Sequence, residues 1–160
     1  MVERFIVDTT VGKLGKWLRV LGFDTSVYLG KDLHRLVQMS RRENRVIVTR
    51  NRQLEVKLFL GNILVLKENE PDRQIAAVLR ALNISLHPEN ILSRCLRCNE
   101  VLEAMPSEAV EGKVPEFVFY THEIFHHCPS CQRIYWGGTH PSNMKKRIEH
   151  ILDLVKDRPD

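Results

Sequence analysis

Apolar side chains along the first ninety residues follow two alternating spacings. Short apolar runs at 4–7, 25–29, 45–49 and 62–66 predict four strands. Between them the apolar positions fall at helical intervals. Val11, Leu14, Leu18 and Leu21 mark one helix, which Gly22 ends. Leu33, Leu36, Val37 and Met39 mark a second, with Asp32 at its N-cap or in its first turn. A short third helix is expected over 53–60, and Pro71 opens a fourth through Ile75, Val78, Leu79 and Leu82. Four successive βα units imply an α/β fold. Crossovers between parallel strands are right-handed, so the helices must cover both faces of a parallel sheet.

Such a sheet selects its own candidate site. Ligands bind beyond the carboxyl ends of the strands, near the point where strand order reverses. Asp8 follows the first strand, Asp32 the second and Asn51 the third, so all three are expected on one edge. Asp24 precedes the second strand and should face the opposite edge, as a turn residue. Lys13, Lys16 and Arg19 are expected on one flank of the first helix, where a solvated face is the simpler reading. The glycines of "VGKLGKWLR" do not form a phosphate loop, because Gly15-Lys16 is followed by Trp17.

From about Ser93 the pattern changes. "SRCLRCNEVL" and "HHCPSCQRIYWGG" carry two CxxC pairs, with 29 residues between Cys98 and Cys128. Two such pairs suit a tetrahedral zinc ion held by Cys95, Cys98, Cys128 and Cys131 in a zinc ribbon. A redox dithiol would need only one pair. The β segment joining the knuckles is expected at 116–120, with 103–115 as an excursion. His122, His126, His127 and His140 are spare ligands at most. Residues 141–155 close the chain as an amphipathic helix, with Met144, Ile148, Ile151, Leu152 and Val155 on its apolar side. The expected division is an α/β domain over 1–90 and a zinc ribbon with a terminal helix over 91–160.

Composition adds location and charge. The 160 residues are 43% hydrophobic and 28% charged, ordinary for a globular protein. The longest apolar runs, such as 63–66, fall far short of a membrane span, and the N-terminus carries no signal-peptide pattern. Paired cysteines without a secretion signal point to a reducing compartment. The expectation is a cytoplasmic protein with no membrane partner. Residues 1–60 hold 12 Lys and Arg against 6 Asp and Glu, so the whole +4 excess originates there. A basic region of that kind suits an anionic partner such as nucleic acid, though a solvated basic surface would look the same.

Clustered carboxylates need a cation, and oxygen ligands suit magnesium or manganese. The simpler reading is that Asp8 caps a turn and Asp32 a helix. The chain resembles the ribonuclease family named after the C-terminal region of the mut-seven exonuclease, a PIN-like nuclease fold with a zinc ribbon. The resemblance is carried by "FIVDTTVGKLGKWLRVLGFDT", Asp32, "RVIVTRNR", "SRCLRCNEVL" and "CPSCQRIYWGGTH". It implies a Mg- or Mn-dependent nuclease acting on RNA, with the catalytic role falling on Asp8, Asp32 and residue 51. The family pattern also has an acid at Asp24, where catalysis and support of the turn remain open.

One position departs from that pattern. The family reads Thr-Arg-Asp where this chain reads Thr49-Arg50-Asn51. Asn51 keeps an oxygen but loses the charge. This leaves three readings: a weakened metal site, compensation by Glu68, Glu70 or Asp72, or a module that binds RNA or the ribosome without cutting. A zinc-ribbon adaptor for proteins is a further alternative. Lys13, Lys16, Arg50 and Arg52 are the candidate phosphate contacts.

Overall fold

The computed structural model describes residues 3–60, 62–137 and 141–157. His140, one of the spare histidines, lies outside them. Four parallel strands, β1 (Arg4–Val7), β2 (Asp24–Val27), β3 (Val46–Thr49) and β4 (Ile63–Val65), form a sheet in the order β2-β1-β3-β4. Helices α1 (Gly12–Val20), α2 (Leu33–Glu43) and α3 (Pro71–Ala81) follow β1, β2 and β4. The segment after β3, Arg52–Leu60, winds as a 3-10 helix. The α/β expectation holds in full, down to the parallel sheet.

Side chains one apart along a strand point to opposite faces. Phe5, Val7, Val46 and Val48 therefore enter one core layer with Leu14 and Leu18 of α1 and Ile75, Val78 and Leu79 of α3. Ile6 and Ile47 enter the other, against Leu36 and Val37 of α2 and Leu54. Gly15 lets α1 lie close on β1, because a Cβ there would sit 2.7 Å from Cγ2 of Val7. Gly22, at φ +94°, ends the helix by admitting the left-handed turn that a side chain would strain.

A second sheet is antiparallel, with β5 (Glu103–Met105), β6 (Phe125–His127) and β7 (Ile134–Trp136) in that order. Here the expected joining strand is corrected: Glu116–Thr121 is a helix, α4. The strand that joins the ribbon is β6, paired on one side with β5 and on the other with β7, and the 116–121 segment takes no part in the sheet. Pro115 precedes it and Glu116 stands in its first turn, both favourable to a helix start. The excursion is the stretch between β5 and β6, and 103–105 is ladder.

The terminal helix α5 (Pro141–Lys156) packs on α3 and returns the chain to the first core, where Ile151 is fully buried. Arg147 fastens it. Its guanidinium lies 3.7 Å above the Trp17 ring and bonds Asp72 Oδ1 from Nε at 2.9 Å and Nη2 at 2.7 Å.

Candidate functional site

The register of the parallel sheet builds the acidic edge. Val7 stands opposite Val48, so Asp8 follows Val7 as Thr49 follows Val48. Asp8 is buried and caps the 3-10 turn Thr9–Val11. Its Oδ1 accepts from the Thr10 backbone N–H at 3.0 Å and from the Thr10 hydroxyl. Its Oδ2 accepts from the Thr49 hydroxyl at 2.5 Å. The same hydroxyls accept backbone N–H groups, Thr10 from Arg50 at 2.9 Å and Thr49 from Asn51 at 2.9 Å. A carboxylate offers about four lone-pair directions. Among the described residues three are used, and one remains on Oδ2. Neither threonine was singled out in the sequence, although Thr49 ends a strand and Thr10 lies two residues past Asp8.

This junction between β1 and β3 is the switch point of the sheet, since the chain leaves β1 toward β2 on one side and β3 lies on the other. Asp32 stands after β2, exposed, and caps α2 by accepting from His34 N–H at 2.9 Å and Arg35 N–H at 3.3 Å. Asn51 uses Oδ1 to accept from Gln53 N–H at 3.0 Å, holding the start of the 3-10 segment. Capping is thus a real role of all three residues.

The suggested substitutes for a third carboxylate have other partners. Asp72 is held by Arg147, Glu68 folds back on the Lys67 N–H at 3.1 Å, and Glu70 stands 3.9 Å from Arg73. Among the described residues, the acids of this edge form no group of three within ligand distance. Lys13, Lys16 and Arg52 are exposed, while Arg50 is half-buried.

Asp24 lies at the opposite edge, as expected, but as the first residue of β2 rather than a turn residue. In register with Arg4, it pairs with Arg4 Nε at 3.1 Å and Arg45 Nη1 at 2.7 Å, and accepts from Asn99 Nδ2 at 2.7 Å. Burial pushes its carboxyl up, but the Arg45 and Asn99 hydrogen bonds, the Arg45 charge and Arg4 prevail and hold it at about 2. Arg45 is itself buried, so removing Asp24 strands much of a positive charge. Asp24→Ala is expected to cost about 2–3 kcal/mol, which is some 4–12 °C in Tm for a chain of this size. Because the folded value is depressed, this stabilisation is present above the ordinary carboxylate range near pH 4 and lost as pH falls toward 2. Denaturation of both proteins at pH 7 and pH 2 checks it, the difference between them shrinking in acid.

Arg19 also departs from its expected place on a basic flank. Its Nε donates to Thr25 O at 2.9 Å, and its Nη1 to Leu96 O at 2.8 Å and Arg97 O at 3.2 Å. It ties α1 to the first CxxC turn.

The two CxxC turns are near copies. The Cys98 N–H points at Cys95 Sγ at 3.3 Å, and the Cys131 N–H at Cys128 Sγ at 3.5 Å. Each turn closes on a residue of positive φ, Asn99 at 67° and Gln132 at 61°. A tetrahedron of sulfurs about 2.3 Å from a zinc ion has edges of roughly 3.8 Å. Cys95 Sγ and Cys131 Sγ are 3.7 Å apart, and all four sulfurs lie within 4.8 Å of one another. Burial pushes the Cys95 thiol up, yet hydrogen bonds from Tyr135 and from the Cys98 and Arg97 backbones bring it to about 6. Cys98, hydrogen-bonded to Cys131, is pushed up to about 12. Four crowded sulfurs ionise together only around a cation. The donor set fits a metal such as zinc, with four thiolates leaving no open position for chemistry. His122, His126 and His127 are not part of it.

A parallel α/β sheet with a buried carboxylate at its switch point, joined to a four-cysteine metal-binding ribbon, is the class of protein these features define. The chain matches the Mut7-C RNAse domain over residues 3–148 and belongs to that family. It is also 30% identical over 101 residues to the exonuclease mut-7 homolog of Homo sapiens. That match covers 60% of this chain and 12% of the human protein. No solved structure matches the chain. Among the described residues, no helix is long and apolar enough to cross a membrane.

Proposed function

We propose that the protein is a Mg- or Mn-dependent endoribonuclease of the cytoplasm, with Asp8, Asp32 and Asn51 as its catalytic edge and zinc as a structural ion. The carrying observation is Asp8: a buried carboxylate at the switch point, bracketed by two threonine hydroxyls, with one lone pair that no described residue claims. Membership of a ribonuclease family supports RNA as the substrate. Asp8 and Asp32 would hold the ion, which retains several waters of its own. Bound there, it would activate water and offset charge on the leaving oxygen. The protein's part is to fix Asp8 through Thr10 and Thr49 and to present cations, namely Lys13, Lys16, Arg50 and Arg52, to the phosphates. Incubation with structured RNAs in manganese is the test, and absence of metal-dependent cleavage overturns the reading.

A second reading, a module that binds RNA without cutting it, is favoured by the amide at position 51. Restoring the acid separates the two. The introduced carboxylate would still accept from the Gln53 N–H, so Asn51→Asp leaves the turn intact. Two unit charges about 4 Å apart interact by roughly 4 kcal/mol at an effective dielectric of 20, and desolvation takes back much of this. A net gain near 1.4 kcal/mol is a tenfold change. Asn51→Asp is therefore expected to bind manganese about tenfold more tightly by calorimetry and to cleave faster. Unchanged affinity would remove residue 51 from the metal site.

A further inference from the structure

We propose that the cavity between the first turns of α1 and α3 is a subsite for one phosphate of the RNA strand, adjacent to the phosphate offered to Asp8, with Arg50 as its cation. This rests on the nuclease reading above. The cavity measures about 360 Å³ and is lined by Thr9, Thr10, Lys13, Arg50, Asn69 and Gln74, among others. Four properties point to an anion.

First, Arg50 Nε is buried and has no hydrogen-bond partner among the described residues, the one side-chain nitrogen or oxygen there in that state. Buried donors are nearly always paired, and this one, closed to solvent as it stands, would gain an acceptor once the guanidinium turns toward a phosphate in the cavity. Second, Lys13 and Arg50 line the cavity and no carboxylate does. Glu70 and Asp72 are near in sequence but outside the lining, and Asp72 is neutralised by Arg147. Third, α3 begins without a side-chain cap, which leaves the N–H groups that follow Pro71 and the positive end of its dipole free to face negative charge, while α1 continues from the 3-10 turn that Asp8 caps.

Fourth, the cavity is wired to the acidic edge. The Arg50 N–H donates to the Thr10 hydroxyl, and that hydroxyl donates to Asp8. One loop crossing therefore sets both the carboxylate and the cation. A strand lying across the switch point would meet them with neighbouring phosphates. Fork-shaped guanidinium donors suit phosphate oxygens well.

The test measures binding rather than cleavage. A labelled short single-stranded RNA is titrated with the full, zinc-loaded chain without added magnesium or manganese, over a series of salt concentrations. Three variants are compared with the wild type. Arg50→Gln removes the cation. Gly12→Asp adds a carboxylate at the lining. Gly12 has helical backbone angles, and a Cβ there meets nothing within 4 Å, so this variant should fold. Arg41→Ala removes an exposed charge on α2, outside the cavity lining.

Arg50→Gln and Gly12→Asp are expected to weaken binding about tenfold, the loss of one charge-assisted contact. For Arg50→Gln the slope of log K against log salt should flatten by about 0.7, the share of one phosphate on a single strand. Arg41→Ala should change binding much less. If wild type binds and both cavity variants bind as Arg41→Ala does, the subsite is wrong and the nuclease reading stands. If wild type shows no affinity for RNA at low salt, the nuclease reading falls and the subsite with it.

Discussion

Asp8→Asn is expected to lower RNA cleavage by more than about 100-fold while the protein stays folded. Changes one shell away from a metal typically cost 10–100-fold, and loss of a ligand charge should cost more. The amide is nearly the same shape, and its oxygen can still accept from Thr10 N–H and the Thr10 hydroxyl. Its NH2 group would face the Thr49 hydroxyl, which already receives the Asn51 N–H and would have to turn its own proton elsewhere. A buried mismatch of this kind costs about 1–3 kcal/mol. Some loss of Tm alongside an almost complete loss of cleavage is the expected pair of results, measured by thermal melting and by gel assay of structured RNA in manganese. Cleavage at the wild-type rate by a folded Asp8→Asn protein would remove Asp8 from the chemistry.

If the cysteine cluster holds the zinc proposed above, Cys95→Ser is expected to abolish that binding and to loosen more than the ribbon. Structural zinc contributes apparent free energies of about 10–16 kcal/mol to the folding of small domains. Its loss should free both CxxC turns. The first of these is bolted to the α/β layer. Asn99 accepts from the Thr25 N–H at 2.9 Å and donates to Asp24, while Arg19 and Arg94 bond carbonyls across the same junction. The Leu92 N–H adds a bond to Val20 O at 2.7 Å. Hydrogen exchange should therefore quicken over 94–136 and also over 20–27, with β1 and β3 remaining protected by the core. Elemental analysis supplies the zinc count. Undiminished zinc in the variant, or unchanged exchange over 20–27, would contradict the coupling.

That junction also gives Asp24 a structural role. The acid at this position of the family pattern lies at the amino end of β2, away from Asp8, and its hydrogen bonds go to Arg4, Arg45 and Asn99. It clasps the start of two strands and the first CxxC turn. Asp24→Ala should accordingly lose stability but keep cleavage per folded molecule, whereas Asp8→Asn should lose cleavage far beyond what its own loss of Tm explains.

The sequence by itself determined the parallel α/β layer and the cysteine ligand set. Both are written in short-range patterns. Continuous apolar runs mark strands buried on both faces, helical spacing marks the apolar side of each helix, and a CxxC turn makes its own geometry. The capping role of Asp32 was legible for the same reason, since its partners are two and three residues away. Only the tertiary structure decided the rest. Thr49 reaches Asp8 through strand register, across 41 positions of chain. Arg19 meets Leu96 across 77, and α5 fills the first core from the far end of the sequence. The segment 116–121 is a helix while 125–127 takes the central place between β5 and β7, a pairing of distant strands that no local pattern records. Local residues set what each element can be. Which hydroxyl, carbonyl or strand edge is free to receive it depends on packing between elements far apart in the chain.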